Sequence, residues 1–216
     1  MGLNELVAEL EKVMRKSKVN KLVEERVKEF LETNNADNER WFEELIFCIL
    51  TANSSAITGL KAVEKLKEKN LLLKGSTGEV EKALREVGHR YAKRRAEYII
   101  LARKYSSNLK NILTSIESIY RKREWLAKNI KGIGMKEASH FLRNVGYFNL
   151  AIIDRHIIKI LKAYNLVNPT LDRKTITKKK YIKIEKLIKR IARKLNIKPG
   201  ILDLYLWYMS TGKILK

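Results

Sequence analysis

The sequence predicts an all-α protein. Only two prolines, Pro169 and Pro199, interrupt 216 residues, so few points forbid a continuing helix. No segment alternates apolar with polar residues long enough to make a sheet, and apolar residues recur instead at three- and four-residue spacing.

The elements follow from that spacing. Two helices are expected near Leu3–Lys16 and Val19–Glu32. The polar run Thr33-Asn34-Asn35-Ala36-Asp37-Asn38 then reads as a break that caps a helix from Glu39 to Leu50. In that helix Trp41, Phe42, Leu45, Ile46, Ile49 and Leu50 cover too much of the circumference for a surface position, which makes it a core helix. Further helices are expected near Ile57–Lys67, Gly78–Val87, Lys93–Tyr105, Ile112–Tyr120 and Glu124–Ile130. Ala138, Phe141, Leu142 and Val145 mark another over Lys136–Val145, and Arg155 to Tyr164 looks like a helix begun by Asp154 acting as its N-cap. There is no internal repeat and no low-complexity linker.

Composition narrows the partner. A hydrophobic content of 45% excludes a disordered polyelectrolyte, while 46 Lys and Arg against 24 Asp and Glu leave a net charge of +22. Such a balance points to a polyanion. Twelve of the basic residues lie between Asp172 and Lys198 (Arg173, Lys174, Lys178, Lys179, Lys180, Lys183, Lys186, Lys189, Arg190, Arg193, Lys194, Lys198), against Asp172 and Glu185. Tyr181, Ile184, Leu187, Ile188, Ile191 and Leu195 thread an apolar stripe through the same segment. The stripe packs inward while the lysines raise the potential nearby, which steers association without fixing a pose.

Cys48 is the single cysteine, so neither an intramolecular disulfide nor a four-cysteine iron–sulfur cluster can form. His89, His140 and His156 lack zinc spacing, and each reads first as a core or contact residue; no metal site is expected. No apolar run approaches the roughly 20 residues that span a bilayer, and no secretory apolar core opens the chain. The expectation is an intracellular protein with no membrane partner. Heavy use of Lys and Ile with no Gln at all suits a hot-living source.

The chemistry is concentrated between Asn129 and His156, which reads NIKGIGMKEASHFLRNVGYFNLAIIDRH. Gly132-Ile133-Gly134 lies between two helical stretches and forms a helix-hairpin-helix over about residues 124–145. The glycines permit a sharp turn and close approach to another molecule, and amides at the start of the second helix favour an anion such as phosphate. Lys136 stands two residues past the turn, and Asp154 follows it by 18 positions. Taken singly, each part has a plainer meaning: a tight turn, a solvated lysine, a helix cap. Their conjunction in one stretch is what points to DNA.

That stretch resembles the helix-hairpin-helix, loop and aspartate of the base-excision DNA glycosylase superfamily (HhH-GPD). The segment KGIGMKEASHFLRNVG, with Leu50-Thr51-Ala52-Asn53, Gly88-His89-Arg90-Tyr91 and the closing DLYLWY, Gly212-Lys213 and Leu215-Lys216, is similar to the 8-oxoguanine DNA glycosylase/lyase family of archaea and thermophilic bacteria. The likeness runs over roughly residues 40–216. One departure is that Leu150, Ala151, Ile152 and Ile153 precede Asp154 without the proline of the superfamily loop.

The resemblance implies two helical lobes: a central one over 39–146, and a second built from 1–38 together with 147–216. It implies no β-domain. It implies that Lys136 is the nucleophile and Asp154 the catalytic aspartate, that the enzyme excises 8-oxoguanine and nicks the strand as an AP lyase, and that its partner is double-stranded DNA bearing oxidised guanine. Gly132, Gly134, Asn53, His89 and Arg90 would meet DNA. Asn53 would plug the space left by an extruded base, and His89 and Arg90 would wedge the duplex. The plainer readings are a turn residue for Asn53, and for Arg90 an ordinary surface charge within the run Arg90…Lys93-Arg94-Arg95. Trp207 would stack on the base, with Tyr205 and Tyr208 read first as core, and Lys216 would help recognise the lesion. No cofactor is required, a monovalent cation on the hairpin carbonyls is allowed, and the chain is expected to act as a monomer. Two readings stay open beside this one: a glycosylase of the same fold for another oxidised base, and a basic helix-hairpin-helix binder without catalysis.

Overall fold

The computed structural model describes residues 2–172 and 176–216. Among them are twelve α-helices and one 3-10 turn, with no strand, so the chain is all-helical as its spacing predicts. No helix of the described residues is long and apolar enough to cross a membrane. Arg173 and Lys174 of the basic run lie outside the described residues.

The chain divides into two compact units, residues 32–145 and residues 1–31 with 146–216. The central unit is organised on α3 (Asn38–Thr51). Asp37 accepts the Arg40 N–H at 2.9 Å and caps it. Trp41, Phe42, Leu45, Ile46, Phe47, Cys48, Ile49 and Leu50 are all buried, so the sequence reading of a core helix holds. Around α3 pack α4 (Ala56–Glu68), α6 (Ala92–Ala102), α7 (Leu109–Ser115) and α9 (Met135–Asn144), with α5 (Thr77–Glu86) on α4 and α6, and α8 (Ile119–Asn129) on α9. Trp41 meets Phe141 edge-on at 6.0 Å, and Phe47 meets the buried His140 ring at 5.7 Å. His140 is therefore a core histidine. The buried Glu44 is satisfied by Arg40 at 2.8 Å and by the Asn144 amide at 3.0 Å, as a buried charge must be.

Two boundaries differ from the sequence reading. The second helix, α2 (Ser17–Asn35), runs through half of the expected polar break. Its last turn is held from outside: the Trp41 indole donates to Thr33 O at 2.9 Å and the Asn34 amide to Val145 O at 2.7 Å. Those bonds give polar residues a helical home that composition does not reveal, and they place the unit boundary at 31/32 where sequence reading set it at 38/39. The expected helix Ile112–Tyr120 does not exist as one piece. The chain breaks over 116–118, so α7 ends at Ser115 and α8 begins at Ile119. Thr114 and Ser115 hydroxyls bond carbonyls of the preceding turn, a habit of these residues that competes with helix continuation.

The other unit holds α1 (Leu3–Met14), the start of α2, α10 (Arg155–Ala163), α11 (Lys178–Lys194) and α12 (Pro199–Thr211). Helix α12 packs on α1, α10 and α11. Pro199 opens α12 and Gly212 closes it with φ +70°, the usual asymmetry of the two residues. Helix α11 buries Tyr181, Ile184, Ile188 and Ile191, while Leu187 and Leu195 are only half-buried and Lys178, Lys179, Lys180, Lys183 and Lys186 are exposed.

Candidate active site

The hairpin is built from the residues between α8 and α9. Ile130 and Ile133 are buried, which anchors the turn, and Gly132 between them has φ +85°. A side chain at 132 would be strained there and would also collide: its Cβ would lie 2.4 Å from Tyr98 Cδ2 and 3.0 Å from Arg95 Nη1. Gly132→Ala is therefore expected to cost about 1–3 kcal/mol from the left-handed conformation alone, with Tm falling roughly 2–4 °C for each kcal/mol. A melting curve within 1 °C of the parent would refute this steric argument.

Gly134 is the N-cap of α9, and its N–H donates to Glu137 Oε2 at 3.2 Å. The capping box thus occupies with a carboxylate one of the amides that sequence reading offers to phosphate. Lys136, in the first turn of α9, is 17% exposed, and its Nζ lies 3.1 Å from Glu137 Oε1. Burial works to raise the Glu137 carboxyl, but Lys136, the residue's own amide and the Gly134 N–H outweigh it and hold the group below the ordinary value of 4.5. Glu137 therefore stays ionised and fixes the lysine's position. Nothing in the sequence reading singled it out.

Two further turns carry this unit's other candidate residues. Ala52 (φ −63°, ψ 115°) and Asn53 (φ +59°) make a turn closed by Ser54 N–H on Thr51 O at 3.0 Å, with Asn53 exposed at its tip. Arg90 is also exposed and lies over the Tyr91 ring at 4.7 Å. His89 requires a correction. Its ring is 4% exposed, Nε2 meets Leu50 O at 2.8 Å, and Nδ1 accepts the Tyr91 N–H at 3.3 Å. Its side chain is turned inward and braces the end of α3, not exposed as a wedge residue would be. Arg95, the last residue of the basic run that begins at Arg90, is 5% exposed and donates to Ala52 O.

Burial pulls His89 below the ordinary histidine value of 6.5, the bond to Leu50 O opposes this, and the Arg95 charge adds to the lowering. The unfolded chain therefore takes up a proton first as pH falls. Stability from the neutral ring is fully present above about pH 6.5 and is lost as pH drops toward the folded-state pKa. The parent's Tm should fall between pH 7.5 and 5.5, and His89→Gln should reduce that decrement. An equal decrement in both proteins would refute it.

In the other unit the loop 150–153 is buried throughout. Ala151 N–H donates to Glu185 Oε1 at 3.1 Å, and Ala151 O accepts the Tyr181 hydroxyl at 2.9 Å. Two side chains of α11 thus pin the backbone that a proline would otherwise stiffen. Asp154 follows as the N-cap of α10, Oδ1 accepting from His156 N at 2.8 Å and Ile157 N at 2.9 Å. Its Oδ2 takes no hydrogen bond among the described residues. The His156 ring lies 5.4 Å from the ring of half-buried Trp207, with Nδ1 2.8 Å from Ser210 Oγ. Asp154, His156 and Trp207 are thereby joined in one cluster. Tyr205 is core, its hydroxyl donating to Asn20 Oδ1 at 2.6 Å, whereas Tyr208 is only half-buried; Lys216 is half-buried too. No group of three His, Cys, Asp or Glu able to hold a metal occurs among the described residues.

Comparison with known proteins shows the family. A family model described as 8-oxoguanine DNA glycosylase matches residues 23–197. The 8-oxoguanine DNA glycosylase/AP lyase of Methanocaldococcus jannaschii is 45% identical over 203 residues, covering 94% of this chain and 96% of that protein. The protein of the same name from Korarchaeum cryptofilum is 44% identical over 216 residues, the full length of both. The crystal structure of the M. jannaschii 8-oxoguanine glycosylase/lyase in complex with a 15mer DNA containing 8-oxoguanine superposes with a TM-score of 0.92 at 42% identity, over 98% of this chain and 100% of that one. The chain belongs to the 8-oxoguanine DNA glycosylase family.

Proposed function

We propose that this chain is a bifunctional DNA glycosylase/AP lyase that excises 8-oxoguanine from double-stranded DNA in base excision repair. The observation that carries the reading is Lys136: a lysine in the first turn of the second hairpin helix, held by Glu137 at 3.1 Å, in a chain similar over its length to proteins of that name. Lys136 passes its ammonium proton to the Glu137 carboxylate beside it and attacks C1′ of the damaged nucleotide as the amine. The N9–C1′ bond breaks, and the base leaves with a proton. Ring opening at O4′ then gives a Schiff base between C1′ and Nζ, and loss of a C2′ proton expels the 3′ phosphate.

Asp154 stabilises the positive charge that grows on the sugar as the base departs. Its Oδ1 is committed to the helix cap, which fixes the carboxylate and leaves Oδ2 for the sugar. Extruding the base costs a few kcal/mol of unstacking. Asn53 fills the space left behind, Arg90 contacts the orphaned partner, and Gly132 and Gly134 let the hairpin backbone approach the strand. Trp207 stacks on the extruded purine, a contact worth about 1–3 kcal/mol, and Lys216 contributes to its recognition.

No cofactor enters any of these steps. The hairpin carbonyls are neutral oxygen donors of the kind that suit a monovalent cation, whose contribution would be attraction for phosphate. The protein acts as a monomer, inside the cell with its DNA. Borohydride added during reaction with an 8-oxoguanine duplex should trap a covalent adduct absent with undamaged duplex. Binding without an adduct would instead mark a non-catalytic binder, and an adduct only with an oxidised pyrimidine would mark another lesion.

A further inference from the structure

Arg95 is an expensive residue. It lies in α6 at 5% exposure, no carboxylate pairs with it among the described residues, and its Nε has no hydrogen-bond partner there. What surrounds it is the Tyr98 ring at 5.6 Å, the Tyr91 ring at 6.0 Å and one carbonyl, that of Ala52, with the Glu137 carboxylate attracting it from beyond contact distance. Burying a guanidinium on such terms costs stability, and a well-packed apolar residue would avoid the cost.

The carbonyl it holds is a special one. With Ala52 at φ −63°, ψ 115° and Asn53 at φ +59°, the Thr51–Ser54 turn has type II geometry, with a residue that tolerates positive φ at its third position. Types I and II differ by a flip of the central peptide, here the one joining Ala52 to Asn53. Donation from Arg95 Nη2 to Ala52 O therefore selects the flip state, and with it the direction in which the Asn53 side chain leaves the turn. The same guanidinium lies under Gly132, where a Cβ would come within 3.0 Å of Nη1. One side chain thus spans the Asn53 turn and the hairpin turn that leads into α9.

We propose that Arg95 is a positioning residue that locks the peptide flip of the 51–54 turn and registers Asn53 against the hairpin that carries Lys136. The proposal rests on the reading of Asn53 as the residue that fills the gap left by the extruded base. Its effect is confined to substrates in which such a gap must be filled.

The test is single-turnover excision of 8-oxoguanine opposite cytosine in a duplex and from the same strand left single, which has no duplex stack to leave a gap in, using Asn53→Ala, Arg95→Met and the double variant. Asn53→Ala and Arg95→Met are each expected to lower the ratio of duplex to single-strand rate by about tenfold, a difference of order one decade in rate. The double variant should lower it no further than the more affected single variant, as coupled residues behave. Equal slowing on both substrates by Arg95→Met would make the residue merely structural and overturn the proposal, as would an unchanged rate on the duplex. An unchanged ratio in Asn53→Ala would remove the reading beneath it and the proposal with it. If Arg95→Met fails to fold, Arg95→Lys decides: it keeps one donor but not the fork, and its ratio of duplex to single-strand rate should fall.

Discussion

Lys136→Gln is expected to lose the borohydride-trapped adduct altogether and to slow base excision by roughly 10³–10⁴-fold or more, the scale seen when a covalent nucleophile is removed. Glutamine keeps the length and polarity of the side chain but cannot form a Schiff base. Lys136 is 17% exposed and pairs with Glu137, which also keeps the Gly134 N–H. Removing the lysine leaves the carboxylate its own amide and the Gly134 N–H, so the loss of this largely buried pair should cost about 1–3 kcal/mol. Binding to an 8-oxoguanine duplex should survive, because hairpin and basic surface are untouched. Retained trapping in the variant would move the nucleophile elsewhere, and lost folding by circular dichroism would show that the pair matters more than its exposure implies.

The second large effect separates two duties of one residue. Asp154 caps α10 through Oδ1, at 2.8 Å and 2.9 Å from the His156 and Ile157 amides, and is proposed to face the sugar with Oδ2. Asparagine caps nearly as well as aspartate. Asp154→Asn should therefore keep Tm close to the parent's while lowering the glycosylase rate by about 10²–10³-fold through loss of charge. Asp154→Ala should show the same kinetic loss and a further drop of about 1 kcal/mol in stability from the missing cap. A variant with asparagine at full activity would reduce the residue to a helix cap.

Much of the fold is legible in the sequence because it depends on local spacing. The core helix from Glu39 to Leu50 shows its apolar circumference directly, and the capping by Asp154 shows in a short polar residue ahead of Arg155, Ile157, Ile160 and Leu161. The hairpin turn is legible for the same reason, since a Gly-x-Gly between two apolar-periodic stretches marks a tight turn between helices. The helix Ile112–Tyr120 fails because Ile112, Leu113, Ile116, Ile119 and Tyr120 carry helical periodicity across a break that local hydroxyl bonding favours.

What spacing cannot show is where a charged side chain ends up when its partner is far along the chain. Arg95 reaches a carbonyl 43 residues away, His89 one 39 residues away, and Glu185 an amide 34 residues away. In sequence these look like a surface charge, a wedge residue and one acid in a basic helix. Burial turns each into an internal brace, because a polar group taken out of water must find a partner wherever the fold supplies one.

The sequence by itself determined the helical class, the basic character, the hairpin with Lys136 behind it, and Asp154 at the head of its own helix, all from residues within a few turns of one another. Only the tertiary structure decided that Glu137 is shared between the Gly134 amide and Lys136, that His89 and Arg95 face inward beneath the Asn53 turn, and that Tyr181 and Glu185 hold the loop before Asp154 where no proline does. The physical reason is that helix formation is a local balance of propensity and periodicity, whereas satisfying a buried polar group is a property of whatever the rest of the chain brings beside it.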